Sequence, residues 1–276
     1  MFMSPEKRVQ QNKYSQEHQQ FLKCVKRKKI YIWTIRILLL FLFFALWEIA
    51  ADRRWIDPFI SSQPSKMWNT VIFLHQDGSL YRHIGITVGE TVIGFLSGTI
   101  LGTFIAVLLW WSDFLSKILD PYLVVLNSLP KVALGPVIIV WAGAGYSAIL
   151  TMALLVSLFT TIIGVYSGLK EVDKEKIILV KTFGGNKKQI LQKVVLPASF
   201  PTIMNALKIN VGLSWIGVIM GEFLVSKAGL GYLITYGSQV FDLDLVMTSV
   251  IILAAAAAIM YIAVAYLEKR VLKHRN

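Results

Sequence analysis

Six long apolar segments restrict the fold of this chain more than any other feature of its sequence. They cover residues 30–50, 86–110, 121–142, 147–168, 202–224 and 245–267. A helix needs about 20 apolar residues to cross the hydrocarbon core of a bilayer. All six segments reach that length, and the mean hydropathy of the chain is +0.61. The sequence therefore predicts an all-α integral membrane protein with six transmembrane helices.

Small residues and prolines distinguish the second and third segments from the others. Gly94, Gly98 and Gly102 occupy every fourth position of the second segment, which predicts a face of close helix packing. The third segment contains Pro130 and Pro136. Because each proline removes a backbone donor, we expect this helix to bend or break. A broken helix is typical of a segment that lines a cavity.

Basic residues are divided unequally between the two sets of connections. If the N-terminus is inside, the cytoplasmic connections carry 20 Lys and Arg, and the opposite connections carry 5. Cytoplasmic loops of membrane proteins have such an excess. The count predicts a multi-pass protein of the cell (plasma) membrane with both termini cytoplasmic. It also accounts for the net charge of +12, so nucleic acid is not a predicted partner.

The longest internal connection, residues 169–201, lies between the fourth and fifth helices and is expected to be cytoplasmic. Its first part is compatible with a helix from Val172 to Phe183. The pair Gly184-Gly185 can adopt the left-handed conformation that ends a helix. Asn186 followed by Gln189 resembles a capping box, which predicts the start of a second helix.

The second short helix of this connection is expected to be amphipathic. Apolar residues at i, i+4 spacing lie beneath a basic face formed by Lys187, Lys188 and Lys193. Pro197 and Pro201 are expected to end the helix. Such a pair of helices can rest on its own membrane bundle, lie on anionic lipid or dock into a soluble partner.

The residues GNKKQILQKVVLP at 185–197 resemble the cytoplasmic loop of permease subunits of ATP-binding-cassette importers. That loop has the pattern Glu-Ala-Ala, three residues, Gly, nine residues, Ile, any residue, Leu-Pro. Gly184 matches the glycine, Val194 the isoleucine, and Leu196-Pro197 the final pair. This chain departs from the pattern at 178–180, where Ile-Leu-Val replaces Glu-Ala-Ala.

Other segments are similar to the nitrate, sulfonate, taurine and pyrimidine-precursor branch of these type I importers. They are residues 89–102, 129–145 and 216–234. The resemblance extends from Gly85 to Leu267. Glu90 stands where a basic residue is expected in that branch.

The resemblance implies a permease subunit that forms the path for a small solute. The solute would be anionic, such as a sulfonate, nitrate or taurine, or a pyrimidine precursor. The implied partners are ATP-binding-cassette ATPase subunits, an extracytoplasmic solute-binding protein and a second permease copy in the lipid bilayer. The chain itself would be no enzyme and bind no cofactor, because the partner ATPase uses ATP and magnesium. The implied ATPase-coupling residues are Gly184, Gly185, Asn186, Lys187, Lys188, Gln189, Val194, Leu196 and Pro197.

The same resemblance suggests a division of the chain into four parts. Residues 1–29 form a basic cytoplasmic tail, and 30–84 the first helix with an extracytoplasmic loop. Residues 85–267 form the permease core with its coupling loop at 169–201. A second cytoplasmic tail covers 268–276.

Charged residues inside the apolar segments are the remaining signal, because a charge at the bilayer centre is costly. Lys131, between Pro130 and Pro136, is either a cation lining the solute path or a lysine that snorkels to the interface or pairs with a carbonyl freed by the proline. Glu222 is a second candidate for the path. It and Glu90 are expected at the outer helix ends, in ion pairs with Lys227 and Arg82 or against a docked binding protein.

No enzyme motif and no metal-ligand spacing is present in the sequence, and its 4 histidines fall in predicted tails and loops. A self-sufficient secondary transporter or channel remains the alternative function. Such carriers have two similar halves with acidic ion sites near the midplane. This chain has a lysine there, and its specialised loop occurs once.

Overall fold

The computed structural model describes the backbone of residues 16–273 and the side chains of residues 20–270. Within these residues the regular structure is helical, and no strand is present. The predicted tails 1–29 and 268–276 lie partly outside the described residues.

Contacts divide the chain into one unit that ends at Lys66 and a second that starts at Met67. The first unit contains α1 (Gln16–Asp52) and α2 (Pro58–Ser61), and α3 (Pro64–Gln76) begins within it. Helix α1 has 37 residues and includes the whole first apolar segment. Asp57 caps α2 by accepting a hydrogen bond from the Phe59 amide.

The second unit contains the remaining membrane helices and three shorter helices. In chain order they are α4 (Ser79–Trp111), α5 (Asp113–Ser128), α6 (Gly135–Ala142), α7 (Tyr146–Lys170), α8 (Lys174–Thr182), α9 (Lys187–Ile190), α10 (Leu196–Val225), α11 (Leu230–Gln239) and α12 (Leu243–Lys273). A 3-10 turn at Lys131–Leu134 precedes α6, and a π-helical turn at Leu191–Val195 connects α9 to α10.

Five helices of the described chain are long and apolar enough to cross a membrane. A sixth span exists if α5 and the segment Lys131–Ala142, which meet at 88°, are counted together. The predicted break in the third segment is confirmed. Pro130 is extended at the break, and Pro136 lies in the first turn of α6, where its missing amide costs no helical hydrogen bond.

Helix α7 packs between α4 and α10, and small residues allow the close approach. Gly94, Gly98 and Gly102 of α4 face Ala153, Ser157 and Thr161 of α7. A methyl group added at Gly94 would lie 2.7 Å from the Ala153 Cβ, which is too close for any folded protein. The predicted packing face of the second segment is therefore confirmed.

The prediction that Pro197 and Pro201 end the second short helix is wrong. The chain is helical from Lys187 to Val225. A π-helical turn widens the backbone directly before Pro197, and Leu196 donates to the Leu191 carbonyl five residues back. Because this turn already replaces the regular hydrogen-bond ladder, the proline ring is tolerated without a break. The loop therefore passes directly into the next membrane helix.

Candidate functional site

The 169–201 loop is built as two helices that meet at a sharp turn. Helix α8 starts at an Asp173 cap, whose carboxylate accepts from the Glu175 amide at 2.9 Å. The helix ends before Gly184, which has a φ of +78°. The Gly184 amide donates to the Lys181 carbonyl at 2.9 Å, and the Gly185 amide donates to the Val180 carbonyl at 2.9 Å. This is the predicted left-handed helix end.

Both glycines of this turn are required, but for different reasons. Gly184 has free space around it, so only its left-handed backbone conformation disfavours a side chain. At Gly185 a Cβ would lie 2.7 Å from the Val180 carbonyl oxygen. The turn is therefore both conformationally and sterically specific.

The predicted capping box at Asn186 is present. The Asn186 side chain accepts from the Gln189 amide at 2.8 Å, and the Gln189 side chain accepts from the Asn186 amide at 2.8 Å. The pair satisfies two amide donors that the first turn of a helix leaves open. The direction of the helix that follows is thus defined locally.

The apolar face of that helix is buried against the protein itself. Ile190 is 3% exposed, Leu191 is 7% exposed and Val195 is fully buried. They belong to one apolar cluster with residues of α4 and α7, such as Leu109 and Leu169. The predicted amphipathic character is confirmed, and the apolar side rests on the bundle of this chain.

Large apolar side chains in and directly after α8 are exposed to solvent in this chain. Ile178 and Leu179 of α8 are 60% and 58% exposed, and Phe183 is 83% exposed. Sequence reasoning treated 178–180 only as a departure from a pattern and missed this surface. The available signal was a run of four adjacent apolar residues, 177–180, in a segment that is otherwise polar.

The coupling residues predicted from sequence have separate positions on the loop. Lys187 points back toward the bundle, since its Nζ donates to the Trp111 carbonyl at 2.6 Å. Lys188 is exposed, Val194 is half-buried beside the apolar cluster, and Leu196 starts α10. The residues therefore form one structural unit, but they do not share one surface.

A buried polar cluster lies at the end of the α4–α10 pair opposite the 169–201 loop. Glu222 is 1% exposed. Its carboxylate accepts from the Thr87 hydroxyl at 2.7 Å and from the Gly231 amide at 2.5 Å. The Leu230 amide donates to the Thr87 Oγ1 at 2.7 Å. These bonds attach the start of α11 to both membrane helices.

Two further side chains complete this cluster. His83 accepts from the Gly229 amide through Nδ1 at 2.9 Å, and Glu90 interacts with the Glu222 side chain. The predicted ion pairs with Lys227 and Arg82 are not formed in the described part of the chain. His83 was assigned to a loop from sequence, whereas it is buried in α4. The available signal in the sequence was its spacing of four residues from Thr87, which places both side chains on one face of a helix.

Lys131 lies in the break between α5 and α6. Its Nζ donates to the Asn127 carbonyl at 2.8 Å, a carbonyl at the C-terminal end of α5. The Thr160 hydroxyl of α7 donates to the Asn127 Oδ1 at 3.1 Å. Lys131 is half-buried. Together with Asn127 and Thr160 it forms a small polar cluster within an apolar bundle.

Known proteins are similar to this chain over most of its length. Residues 98–273 match the family model described as "Binding-protein-dependent transport system inner membrane component". The chain is 28% identical over 249 residues to a putative aliphatic sulfonates transport permease protein of Bacillus subtilis, a match that covers 90% of each chain. It is 27% identical over 231 residues to a formylaminopyrimidine transport permease protein of Halalkalibacterium halodurans, covering 84% of this chain and 92% of the relative.

The fold is also similar to that of solved transporters. A chain of the MetNI methionine ABC transporter in an inward-facing conformation superposes with a TM-score of 0.62. The match covers 73% of this chain and 98% of that chain, at 19% sequence identity. At this identity the likeness establishes the shared fold.

Proposed function

Since the chain belongs to the binding-protein-dependent transport system inner membrane component family, as the permease subunit of a type I ATP-binding-cassette importer, we propose that its 169–201 loop couples it to the ATPase. The ATPase subunits would hydrolyse ATP with magnesium, and this chain would transmit their movement to the solute path. A solute-binding protein outside the membrane and a second permease copy would complete the importer.

The observation that carries this proposal is the uncovered apolar surface of the loop. Leu179 of α8 and Phe183, the residue that follows this helix, are exposed beside the Gly184 turn. Large exposed apolar side chains mark interaction sites, and aromatic residues often anchor protein interfaces. A groove on the ATPase that accepts these side chains would explain why such large apolar groups are left exposed.

The alternative of a loop helix that lies on lipid receives less support. Such a helix would need its apolar face free to enter the bilayer. That face, which contains Ile190 and Val195, is already buried in the apolar cluster beneath the loop. The exposed apolar residues belong instead to α8, on the other part of the loop.

Substitution of Phe183 tests the coupling proposal. We expect Phe183→Glu to weaken ATPase binding by about 30-fold, because loss of an aromatic anchor costs about 2 kcal/mol or more. Phe183→Leu keeps an apolar side chain and should retain most of the binding. The measurement is co-purification of the ATPase, followed by ATP-driven uptake in vesicles.

Wild-type ATPase binding by Phe183→Glu would refute this docking surface. Transport without any ATPase would instead favour the secondary transporter or channel. A folding control is needed for both variants, and an unchanged size-exclusion profile in detergent supplies it.

Both termini are proposed to be cytoplasmic. The charge asymmetry between the connections supports this orientation, and it would place the 169–201 loop on the same side as the ATPase. Cys24, which is exposed, allows a direct test. An impermeant thiol reagent should label it only after the cells are opened. Labelling in intact cells would reverse the proposed topology.

The solute path is proposed to pass the break at Pro130 and Pro136, with Lys131 as a cation that attracts a sulfonate-like or other anionic solute. The names of the two relatives support a sulfonate or a pyrimidine precursor. Lys131→Gln should then reduce uptake of an anionic solute while ATPase binding persists. Unchanged uptake would leave Lys131 only its bond to the Asn127 carbonyl. Glu222, buried and fully bonded, is better explained as an anchor for α11.

A further inference from the structure

A cavity of about 350 Å³ lies beneath the 169–201 loop, at the end of the bundle where α4 and α7 terminate. Its wall contains four lysines, namely Lys170 at the end of α7, Lys174 and Lys181 of α8, and Lys187 of α9. Three separate helices therefore contribute lysines to the wall of one cavity. Its volume is in the lower part of the range of about 300–1,000 Å³ for small-molecule sites.

Helix geometry explains why α8 contributes two of these lysines. Lys174 and Lys181 are seven residues apart, which is two helical turns, so they lie on one face together with Ile177. Leu179 and Phe183 lie on the opposite, uncovered face. The helix thus presents a basic surface to the bundle and an apolar surface away from it, and the two are independent features.

The lysines in the cavity wall outnumber the carboxylates in it by four to one. Asp113 is the one carboxylate in its wall, and Asp120 also acts on Lys170 from outside the wall. The described residues contain one ion pair, which joins Lys208 to Glu268 and lies elsewhere. An anion bound in this space would interact favourably with all four lysines.

Two of the four ammonium groups are oriented by contacts that leave donors available. Lys187 donates one hydrogen bond to the Trp111 carbonyl and lies 5.8 Å from the Trp110 ring centre. Lys170 lies 4.7 Å above the ring of Tyr166. Each ammonium has three N–H donors, so both retain donors for a ligand.

The position of the cavity indicates the kind of anion. Trp110 and Trp111 end the apolar α4 span, and tryptophan is enriched where membrane meets water. The cavity also has apolar walls, to which Leu169, Val172 and Ile190 contribute. Lysines above an apolar floor at the depth of the lipid headgroups suit a phosphate group, which lysine binds as a point charge.

We propose that this cavity binds a phosphate group, carried by an anionic phospholipid headgroup or present as free phosphate. The site goes beyond the coupling function, because it uses the bundle-facing side of α8. A bound phosphate would bridge α7, α8 and α9, and would hold the loop against the bundle independently of the ATPase.

The test is retention of phosphatidylglycerol by the purified full-length protein, measured by native mass spectrometry after reconstitution in mixed phosphatidylglycerol and phosphatidylcholine nanodiscs. Lys174→Gln with Lys181→Gln should reduce retention by about tenfold or more. Each lysine near an anionic lipid surface is expected to strengthen lipid binding about fivefold. The matched control is Lys176→Gln with Lys193→Gln, which removes two charges of the same loop outside the cavity wall. This control should retain wild-type binding.

Two additional arms identify the source of the phosphate and guard against misfolding. Displacement of phosphatidylglycerol by added inorganic phosphate would assign the site to free phosphate, and its persistence would assign it to the headgroup. Lys174→Arg with Lys181→Arg keeps both charges and should retain the lipid. Equal retention by the Gln test and control pairs would overturn the proposal. If Lys174→Gln with Lys181→Gln lost ATPase binding but kept wild-type lipid retention, the proposal would also be overturned. The cavity would then be assigned to an acidic segment of the ATPase.

Discussion

The two ends of the helix bundle each contain a short helix that follows a glycine with positive φ, but they hold it in different ways. At one end, Gly184 and the Asn186–Gln189 capping box direct α9 through contacts no more than a few residues apart. At the other end, Gly229 precedes α11, whose Leu230 amide donates to Thr87, 143 residues away, and Thr87 in turn donates to Glu222 of α10, 135 residues away.

The burial of the two attachments differs as well. The hydrogen bonds of the capping box are exposed to solvent, whereas those of Glu222 are buried. An exposed bond competes with water and contributes little, whereas a buried polar group is costly to leave unpaired. The comparison suggests that the loop with the capping box can adjust to a partner, while the other end is a rigid part of the bundle.

The largest expected effect is at the buried end. Glu222→Ala leaves the Gly231 amide buried without an acceptor, while the Thr87 hydroxyl keeps the His83 carbonyl at 3.2 Å. An unsatisfied buried donor costs about 1–3 kcal/mol and the cavity left by the side chain adds to this, so we expect a loss of about 3 kcal/mol. The measurement is the thermal transition of the detergent-purified protein. Glu171→Ala, at an exposed position, is the control and should melt with the wild type.

An unchanged transition for Glu222→Ala would show that the buried cluster is no stronger than the exposed one. The contrast between the two ends would then rest on geometry alone, and the role of Glu222 as an anchor would be lost.

An intermediate effect is expected at the Gly184 turn. Gly184→Val should strain the backbone by about 1–2 kcal/mol, because a branched side chain disfavours the left-handed conformation. The amount of folded protein should stay near wild type, while ATPase co-purification falls. Gly184→Asn should be milder, since asparagine tolerates this conformation better. Equal ATPase binding by the wild type and both variants would contradict a requirement for this turn.

The smallest effect is expected at the capping box. Asn186→Ala should cost about 1 kcal/mol of local stability, and Asn186→Asp should cost less because a carboxylate also caps. Hydrogen exchange of the Gln189 amide is the measurement, and about fivefold faster exchange corresponds to that cost. Unchanged exchange would mean that the burial of Ile190 alone holds the helix in place.

Features set by neighbouring residues could be predicted without the structure. The apolar segments, the break at Pro130 and the turn from Gly184 to Gln189 follow from helix length, missing amide donors and local capping. The break and the turn were found at the expected places, whereas five helices qualify as spans, or six if the bent pair is counted as one. The uninterrupted helix through Pro197 was not predicted, because a π-helical turn depends on how the whole segment packs.

The sequence by itself thus determined an all-α membrane protein, its family resemblance and the form of its loop, since these depend on composition and on contacts between near neighbours. The tertiary structure decided which groups meet. It brought Thr87 to Glu222, buried His83 and collected four lysines from three helices around one cavity. The physical reason is that such contacts join residues far apart in the chain, so their geometry is defined only when α4, α7 and α10 pack together.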